Sequence, residues 1–194
     1  MRMLPLLLFA LPALAGPAGE HLGKSLAEWQ AWLRSEDRQE RLLAARAVGE
    51  MAIADAAGAE TALLGALNHS DSAVRYWAVI AFGEMGERAG VGRERLRRLL
   101  DDPAPEVRVW AAYALHRLGE EQSAINTLIE ELSNPEKGAR LQAAHALDAL
   151  GKAAAPAADA LRRALDDDFD YVRRVARHAL WTLGERPCPY EDCN

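Results

Sequence analysis

The sequence predicts an all-α protein, an α-α superhelix of about five stacked helix pairs. Five similar segments begin at Glu40, Val74, Val107, Ala139 and Val172, so that successive starts lie 34, 33, 32 and 33 residues apart. A column of leucines repeats in step with them: Leu33, Leu67, Leu100, Leu132 and Leu165. No long stretch alternates with period two, which argues against a sheet. A unit this short cannot bury its own apolar face, so neighbouring units must stack on it.

Glycine and proline mark where the second helix of each pair is expected to begin and end. Four glycines follow the predicted second helices: Gly86, Gly119, Gly151 and Gly184. Glycine readily adopts the left-handed conformation that terminates a helix. Asp102-Pro103 and Asn134-Pro135 each predict a helix that starts at the proline and is capped by the preceding side chain.

The first fifteen residues have the composition of a cleaved signal peptide. Arg2 supplies a positive charge, an apolar run extends from Leu4 to Leu14, and Ala13-Leu14-Ala15 fits a signal peptidase. The run is too short to span a bilayer as a helix. We therefore expect a signal peptide at residues 1–15, a linker at 16–23 and a periplasmic or secreted protein. An uncleaved N-terminal anchor is the alternative.

Two cysteines, Cys188 and Cys193, lie in the predicted C-terminal tail at residues 185–194. In an exported protein this pair predicts a disulfide that stiffens the tail, because such compartments are oxidising. The alternative is two free thiols.

Charge and composition narrow the class of partner. The 194 residues are 50% hydrophobic, and the formal net charge is −6 with both signs spread along the chain. A protein that binds nucleic acid through its phosphates usually has a basic stripe. The sequence therefore predicts a continuous apolar core and no nucleic-acid partner.

The repeated pattern resembles a known family. Val-Arg-x-x-Ala-x-x-Ala-x-x-x-x-Gly, as in the segment from Val74 to Gly86, resembles HEAT repeats of the bacterial type described in phycobilisome lyases. RYWAVIAFGEMG and LIEELSNPEKGARLQAAHALDALG also resemble HEAT modules that follow sulfatase domains. The likeness extends over about residues 24–184. It implies a HEAT-like solenoid whose second helices line a concave groove.

Helical geometry separates core from groove in each second helix. At about 100° per residue, one stripe of the fourth predicted helix is wholly apolar, and it consists of Val74, Ala78, Ala81, Phe82 and Met85. The opposite stripe and its equivalents in later repeats are the candidate partner-binding residues: Tyr76, Trp77, Ile80, Val109, Trp110, Tyr113, Arg117, Gln142, His145 and His178. Glu84 belongs to the same stripe, and the first repeat has Leu42, Leu43, Arg46 and Glu50 at these positions.

An exposed aromatic patch usually marks an interaction site. We therefore expect a groove that binds a protein or peptide. The alternative is that these aromatic side chains only complete the packing between repeats, which would leave the protein a spacer.

An arginine follows the first residue of every second-helix segment. The column consists of Arg41, Arg75, Arg108, Arg140 and Arg173. Acidic residues precede most of the second helices, so we expect a structural ladder of arginine–carboxylate contacts between adjacent repeats.

The sequence indicates no catalytic machinery, metal or cofactor. His145 and His178 are too few ligands for zinc, and the run from Asp166 to Asp170 lacks the spacing of a calcium loop. The groove positions contain no reactive cysteine and no histidine–carboxylate pair. The leading hypothesis is a non-catalytic interaction scaffold. The alternatives are a module that accompanies a sulfatase and an enzyme resembling bilin lyases.

Overall fold

The computed structural model describes residues 20–185, and their α-helices form five consecutive pairs. The first helices of the pairs are α1 (Leu26–Trp32), α3 (Ala59–Ala66), α5 (Arg93–Arg98), α7 (Glu121–Glu131) and α9 (Ala158–Arg163). The second helices are α2 (Arg38–Ile53), α4 (Ser72–Met85), α6 (Pro105–Arg117), α8 (Lys137–Leu150) and α10 (Asp170–Thr182). The predicted all-α solenoid of five helix pairs is confirmed. The predicted signal peptide and both cysteines lie outside the described residues.

Short 3-10 helices extend or precede several first helices. They span Gly86–Gly92, Leu99–Asp101, Gly151–Ala157 and Ala164–Asp166. The helices belong to two compact units, one ending at Leu118 and the other beginning at Gly119. Each unit has its own second helices: α2, α4 and α6 in the first, and α8 and α10 in the second.

A two-stranded antiparallel hairpin, which the sequence pattern did not indicate, precedes α1. Strand β1 (Glu20–His21) pairs with β2 (Lys24–Ser25). The hairpin includes residues 20–23, which belong to the segment expected to be a linker. The indole Nε1 of Trp29 in α1 donates a hydrogen bond to the carbonyl of His21 at 3.0 Å, so the hairpin is fastened to the first repeat.

The ends of the second helices agree with the glycine prediction but not with the proline prediction. Gly86, Gly119, Gly151 and Gly184 all have positive φ angles between 58° and 87°. In contrast, α6 begins at Pro105 rather than at Pro103. The Asp102 carboxylate instead accepts a hydrogen bond from the Ala104 amide at 2.9 Å, which closes a turn before the helix starts.

Asn134 acts in the same way before α8. Its side-chain oxygen accepts a hydrogen bond from the Glu136 amide at 2.9 Å, and α8 begins at Lys137. The start predicted at Pro135 is therefore wrong for the same reason as that at Pro103. The polar side chain stabilises the turn, and the helix begins beyond it.

The apolar stripe of α4 forms the core of its unit, as predicted. Val74, Ala78, Ala81, Phe82 and Met85 are all buried. Aligned alanines and leucines of α2 and α6 join them in one continuous cluster. Stacking of neighbouring repeats therefore supplies the core that a single pair of helices lacks.

The second helices of the first unit approach one another closely at two glycines. A β-carbon built on Gly49 in α2 would lie 2.9 Å from the Cβ of Ala81 in α4. One built on Gly83 in α4 would lie 3.5 Å from the Tyr113 ring in α6. In α2 and α4 this position therefore points towards the next second helix along the chain.

The predicted arginine ladder is present within both units. Arg75 Nε and Nη2 donate to both carboxylate oxygens of Asp102 at 2.7 and 2.8 Å. Arg140 donates to Asp167 in the same bidentate manner at 2.7 and 3.0 Å, and Arg41 donates to Asp71 at 2.9 Å. Each pair joins a second helix to the turn of the following repeat.

Each arginine also binds the turn of its own repeat. Arg75 Nη1 donates to the carbonyls of His69 and Ser70 at 2.7 and 3.0 Å. Arg41, Arg108 and Arg140 each bind the two equivalent carbonyls, and Arg173 binds one of them. One guanidinium therefore neutralises an acidic turn and satisfies the carbonyls of another.

Hydrogen bonding within the ladder alters the acidity of its carboxylates. Burial alone would raise the pKa of Asp71, but hydrogen bonds from Arg41 and the Ala73 amide outweigh that effect. The pKa of Asp71 therefore lies below its ordinary value. The pKa of Asp167 is lowered for the same reasons, through Arg140 and the Phe169 amide.

We expect Asp102→Ala to destabilise the first unit by about 3 kcal/mol, because it leaves the enclosed Arg75 guanidinium without its partner. The side chains of Arg75 and Asp102 are only 11% and 3% exposed. Urea unfolding followed by circular dichroism measures the change. Asp101→Ala is the matched control, since Asp101 is exposed and should cost less than about 0.5 kcal/mol. Equal losses in the two variants would contradict the structural role of the pair.

We expect opposite effects from two glycine-to-alanine substitutions in helices. Gly49→Ala should destabilise the protein, because its new methyl group would collide with Ala81. Gly65→Ala in α3 has open space around it and should stabilise by up to about 1 kcal/mol through helix propensity. Melting temperatures of both variants provide the measurement. A rise in both would show that α2 and α4 can separate freely.

Candidate functional site

The second helices of the first unit present nine side chains on one side, which we call the second-helix face. It has three rows that cross α2, α4 and α6. The apolar row is Leu43, Trp77 and Trp110; the middle row is Arg46, Ile80 and Tyr113; and the third row is Glu50, Glu84 and Arg117. Equivalent positions on adjacent, parallel helices produce these rows. All nine residues are half-buried or exposed.

The aromatic residues of this face are less exposed than the sequence suggested. Tyr76, Trp77 and Trp110 are half-buried and pack in part against the core. Burial raises the pKa of the Tyr76 phenol, with a smaller contribution from Glu106. Leu43, by contrast, is 54% exposed. The most accessible apolar side chain of the face therefore belongs to the first of its three helices.

Edge-to-face packing holds the aromatic rings in place. The Tyr76 and Trp77 rings have centroids 5.6 Å apart, and those of Trp110 and Tyr113 are 5.4 Å apart. The Tyr113 ring also lies against the backbone of α4 at Gly83. These contacts restrict the rotamers of the indoles.

The prediction that Val109 is a partner-binding residue at the surface is wrong, because its exposed fraction is 0%. It occupies the same position in α6 as the half-buried Tyr76 in α4. A helical wheel drawn for a single helix ignores the packing of second helices side by side. Positions on the flank of a helix are therefore less accessible than the wheel suggests.

The charged groups of the second-helix face pair with each other. Arg46 Nε donates to Glu50 Oε1 at 2.8 Å, one turn further along α2. The Nε2 atom of His21 in the hairpin lies 2.6 Å from the other carboxylate oxygen of Glu50. Arg117 Nη1 in α6 lies 3.8 Å from Glu84 Oε1 in α4. Both carboxylates of the face therefore already have cationic or imidazole neighbours.

The second unit carries the remaining predicted residues, Gln142, His145 and His178, all half-buried. His178 Nδ1 in α10 lies 2.6 Å from Asp148 Oδ1 in α8. A groove histidine therefore has a carboxylate partner that the sequence analysis did not identify, and this partner lies outside the groove positions. Asp148 was missed because it occupies the helix position of Gly49 and Gly83, which points towards the next helix.

The surroundings of this pair also include His145, whose pKa they alter. Burial lowers the pKa of His145, and the nearby Asp148 carboxylate only partly offsets the effect. The His178 ring packs edge-on against Trp181, with centroids 5.2 Å apart. The imidazole of His178 is oriented by a carboxylate, an arrangement that suits proton transfer or a polar contact.

Residues 20–185 show neither a metal-binding cluster nor a membrane-spanning helix. This part of the chain contains no group of three or more histidine, cysteine, aspartate or glutamate residues arranged to hold a metal ion. None of its helices is both long and apolar enough to cross a membrane. A cavity of about 390 Å³ in the second unit is lined by Arg162, which Asp159 and Glu185 already bind.

Solved structures similar to this chain include a phycocyanin lyase complex and a designed armadillo repeat protein. The phycocyanin lyase complex of CpcE and CpcF from Nostoc sp. PCC7120 is 25% identical, with a TM-score of 0.62 over 92% of this chain and 70% of that chain. A designed armadillo repeat protein in complex with the peptide (KR)4 is 20% identical, with a TM-score of 0.58 over 82% of each chain. An engineered protein is 22% identical, with a TM-score of 0.57 over 81% of this chain and 78% of that chain.

Sequence comparison agrees with the fold. No curated protein sequence matches the chain significantly. A family model described as HEAT repeats matches residues 26–91 and 92–181, which together make up most of the chain. The repeat spacing, the paired helices and this match lead to one conclusion: the chain belongs to the HEAT-repeat family.

Proposed function

We propose that this protein is a binding scaffold that holds a protein or peptide partner on its second-helix face. The observation that carries the proposal is the apolar row. Leu43 is 54% exposed, and Trp77 and Trp110 occupy the equivalent positions of the next two helices. Tryptophan is enriched at the centres of protein interfaces, because a rigid indole buries much area at little entropic cost.

The fold suits this function. Stacked helices provide a continuous surface in which each repeat contributes the same positions, so side chains can vary there without disturbing the core. The core position of Ala78 is alanine in every second-helix segment, at Ala44, Ala111, Ala143 and Ala176, and all five are buried. The middle row, by contrast, changes from Arg46 to Ile80 to Tyr113.

We further propose that the protein acts outside the cytoplasmic membrane, as the signal-peptide composition of residues 1–15 indicates. The alternative partner is a sulfatase, because the repeats resemble modules that follow sulfatase domains. Both statements rest on sequence patterns. Fractionation of the native host, followed by N-terminal sequencing of the protein, addresses the location directly.

Cross-linking at one exposed residue tests the binding proposal. A photo-reactive amino acid at Leu43 should give a discrete covalent adduct in an envelope extract, whereas one at Val91 should not. Val91 is the matched control, because it is also 54% exposed but lies in the 3-10 helix Gly86–Gly92, away from the face. Leu43→Gln should then abolish co-purification of the adduct partner. The same adducts at both positions, or none at Leu43, would refute the proposal.

A second candidate function is that of an enzyme resembling a bilin lyase. Two observations favour it: the similarity to the CpcE–CpcF complex and the His178–Asp148 pair. A carboxylate that orients an imidazole can assist proton transfer.

Incubation of the protein with apo-phycocyanin and free bilin distinguishes the two candidates. The absorbance of the denatured mixture reports bilin bound covalently to phycocyanin, and the scaffold proposal predicts none. An adduct that forms with the unaltered protein but decreases at least tenfold with Asp148→Asn would favour the lyase instead. Asp159→Asn, an exposed carboxylate in α9, is the control for the loss of one negative charge.

A further inference from the structure

Each of the two carboxylates on the second-helix face already has an arginine neighbour on the same face. Glu50 is held by Arg46 at 2.8 Å and lies 2.6 Å from the His21 imidazole. Glu84 is 3.8 Å from Arg117. The face thus contains two arginines and two glutamates, and its formal charge is zero when histidine is neutral.

A lysine- or arginine-rich peptide would gain little from such a face. It would have to displace Arg46 or Arg117 from a glutamate, so one ion pair would replace another of the same kind. Exposed pairs of this type contribute only about 0–1 kcal/mol each, which leaves almost no surplus for binding. Charge complementarity, which supports many peptide complexes, is already satisfied within the chain.

The apolar row, unlike the third row, offers apolar surface that a ligand can bury. Leu43, Trp77 and Trp110 lie at one edge of the face, next to Ile80 and Tyr113 of the middle row. Neighbouring helices are roughly 8–10 Å apart. An extended chain advances about 3.3 Å per residue. A peptide that crosses α2, α4 and α6 would therefore meet a new helix about every third residue.

We propose that the second-helix face takes an extended, uncharged peptide segment with apolar side chains about three residues apart. This inference rests on the proposed scaffold function and specifies its partner. The apolar side chains contact Leu43, Trp77 and Trp110, while Arg46–Glu50 and Glu84–Arg117 border the segment as neutral pairs. Binding depends on apolar burial and changes little with salt, because few ions are released.

Selection from a displayed library of random decapeptides tests the partner class. The full-length protein should enrich peptides with leucine, isoleucine, phenylalanine or tryptophan and no excess of lysine or arginine. The affinity for a selected peptide should change less than about twofold between roughly 50 and 500 mM salt, because salt screens charge pairs but not apolar contacts. Enrichment of lysine and arginine would overturn this inference and leave the scaffold proposal standing. Failure to enrich any peptide would also overturn this inference, whereas the scaffold proposal fails only if Leu43 gives no specific cross-link.

A gain-of-function variant examines the neutral pairs directly with the peptide (KR)4. Arg46→Gln with Arg117→Gln should leave Glu84 without its arginine and Glu50 with only the His21 imidazole beside it. The affinity for (KR)4 should then rise by about tenfold at low salt, roughly the sum of two exposed ion pairs. Arg97→Gln with Arg98→Gln in α5 is the control, because it makes the same change in net charge outside the face. Equal affinity of both double variants, or tight (KR)4 binding by the unaltered protein, would overturn the inference.

Discussion

The arginine–aspartate contacts between successive turns are the interaction on which the arrangement of the repeats depends. Arg75 binds the carbonyls of its own turn and, through the same guanidinium, the Asp102 carboxylate of the next turn. Asp102 in turn closes the loop that leads into α6. A buried ion pair often adds little net stability compared with an apolar pair, but it admits few alternative geometries. The contact therefore fixes the spacing and register of α4 and α6, and with them the rows of the second-helix face.

Glycine acts with this network to bring the second helices together. Gly49 and Gly83 leave no side chain between adjacent helices, so Ala81 and Tyr113 approach the backbone directly. In the second unit the equivalent position is Asp148, whose carboxylate reaches His178 of the next second helix. One helix position therefore serves close packing in one unit and a polar contact in the other. This difference gives the two units distinct surfaces on the same scaffold.

Most of the fold could be predicted from the sequence, because the repeated positions reflect the packing between neighbouring repeats. The period near 33 residues, the glycines after each second helix and the arginine column each depend on neighbouring repeats, and all were recognisable. The errors at the candidate site concern interactions that a single helix does not contain. A wheel for α6 alone could not show that Val109 is enclosed, and a wheel for α8 alone could not show that Asp148 meets His178 of α10. Alignment of Asp148 with Gly49 and Gly83 was the available signal, since a glycine repeated in a helix indicates close approach. The hairpin before α1 has only two residues per strand, too few to leave an alternating pattern.

Half-burial of the indoles changes how the second-helix face can bind. A fully exposed tryptophan would offer more area, but it would lose rotamer freedom on association. Trp77 packs against the core and against Tyr76, and Trp110 packs against the core and Tyr113, so their orientations are set before a partner arrives. Association then costs less conformational entropy, so less of the free energy gained by burying the exposed ring edges is offset. The same packing makes the indoles part of the fold. Leu43, which is mostly outside the core, is therefore the residue at which binding and stability can be separated.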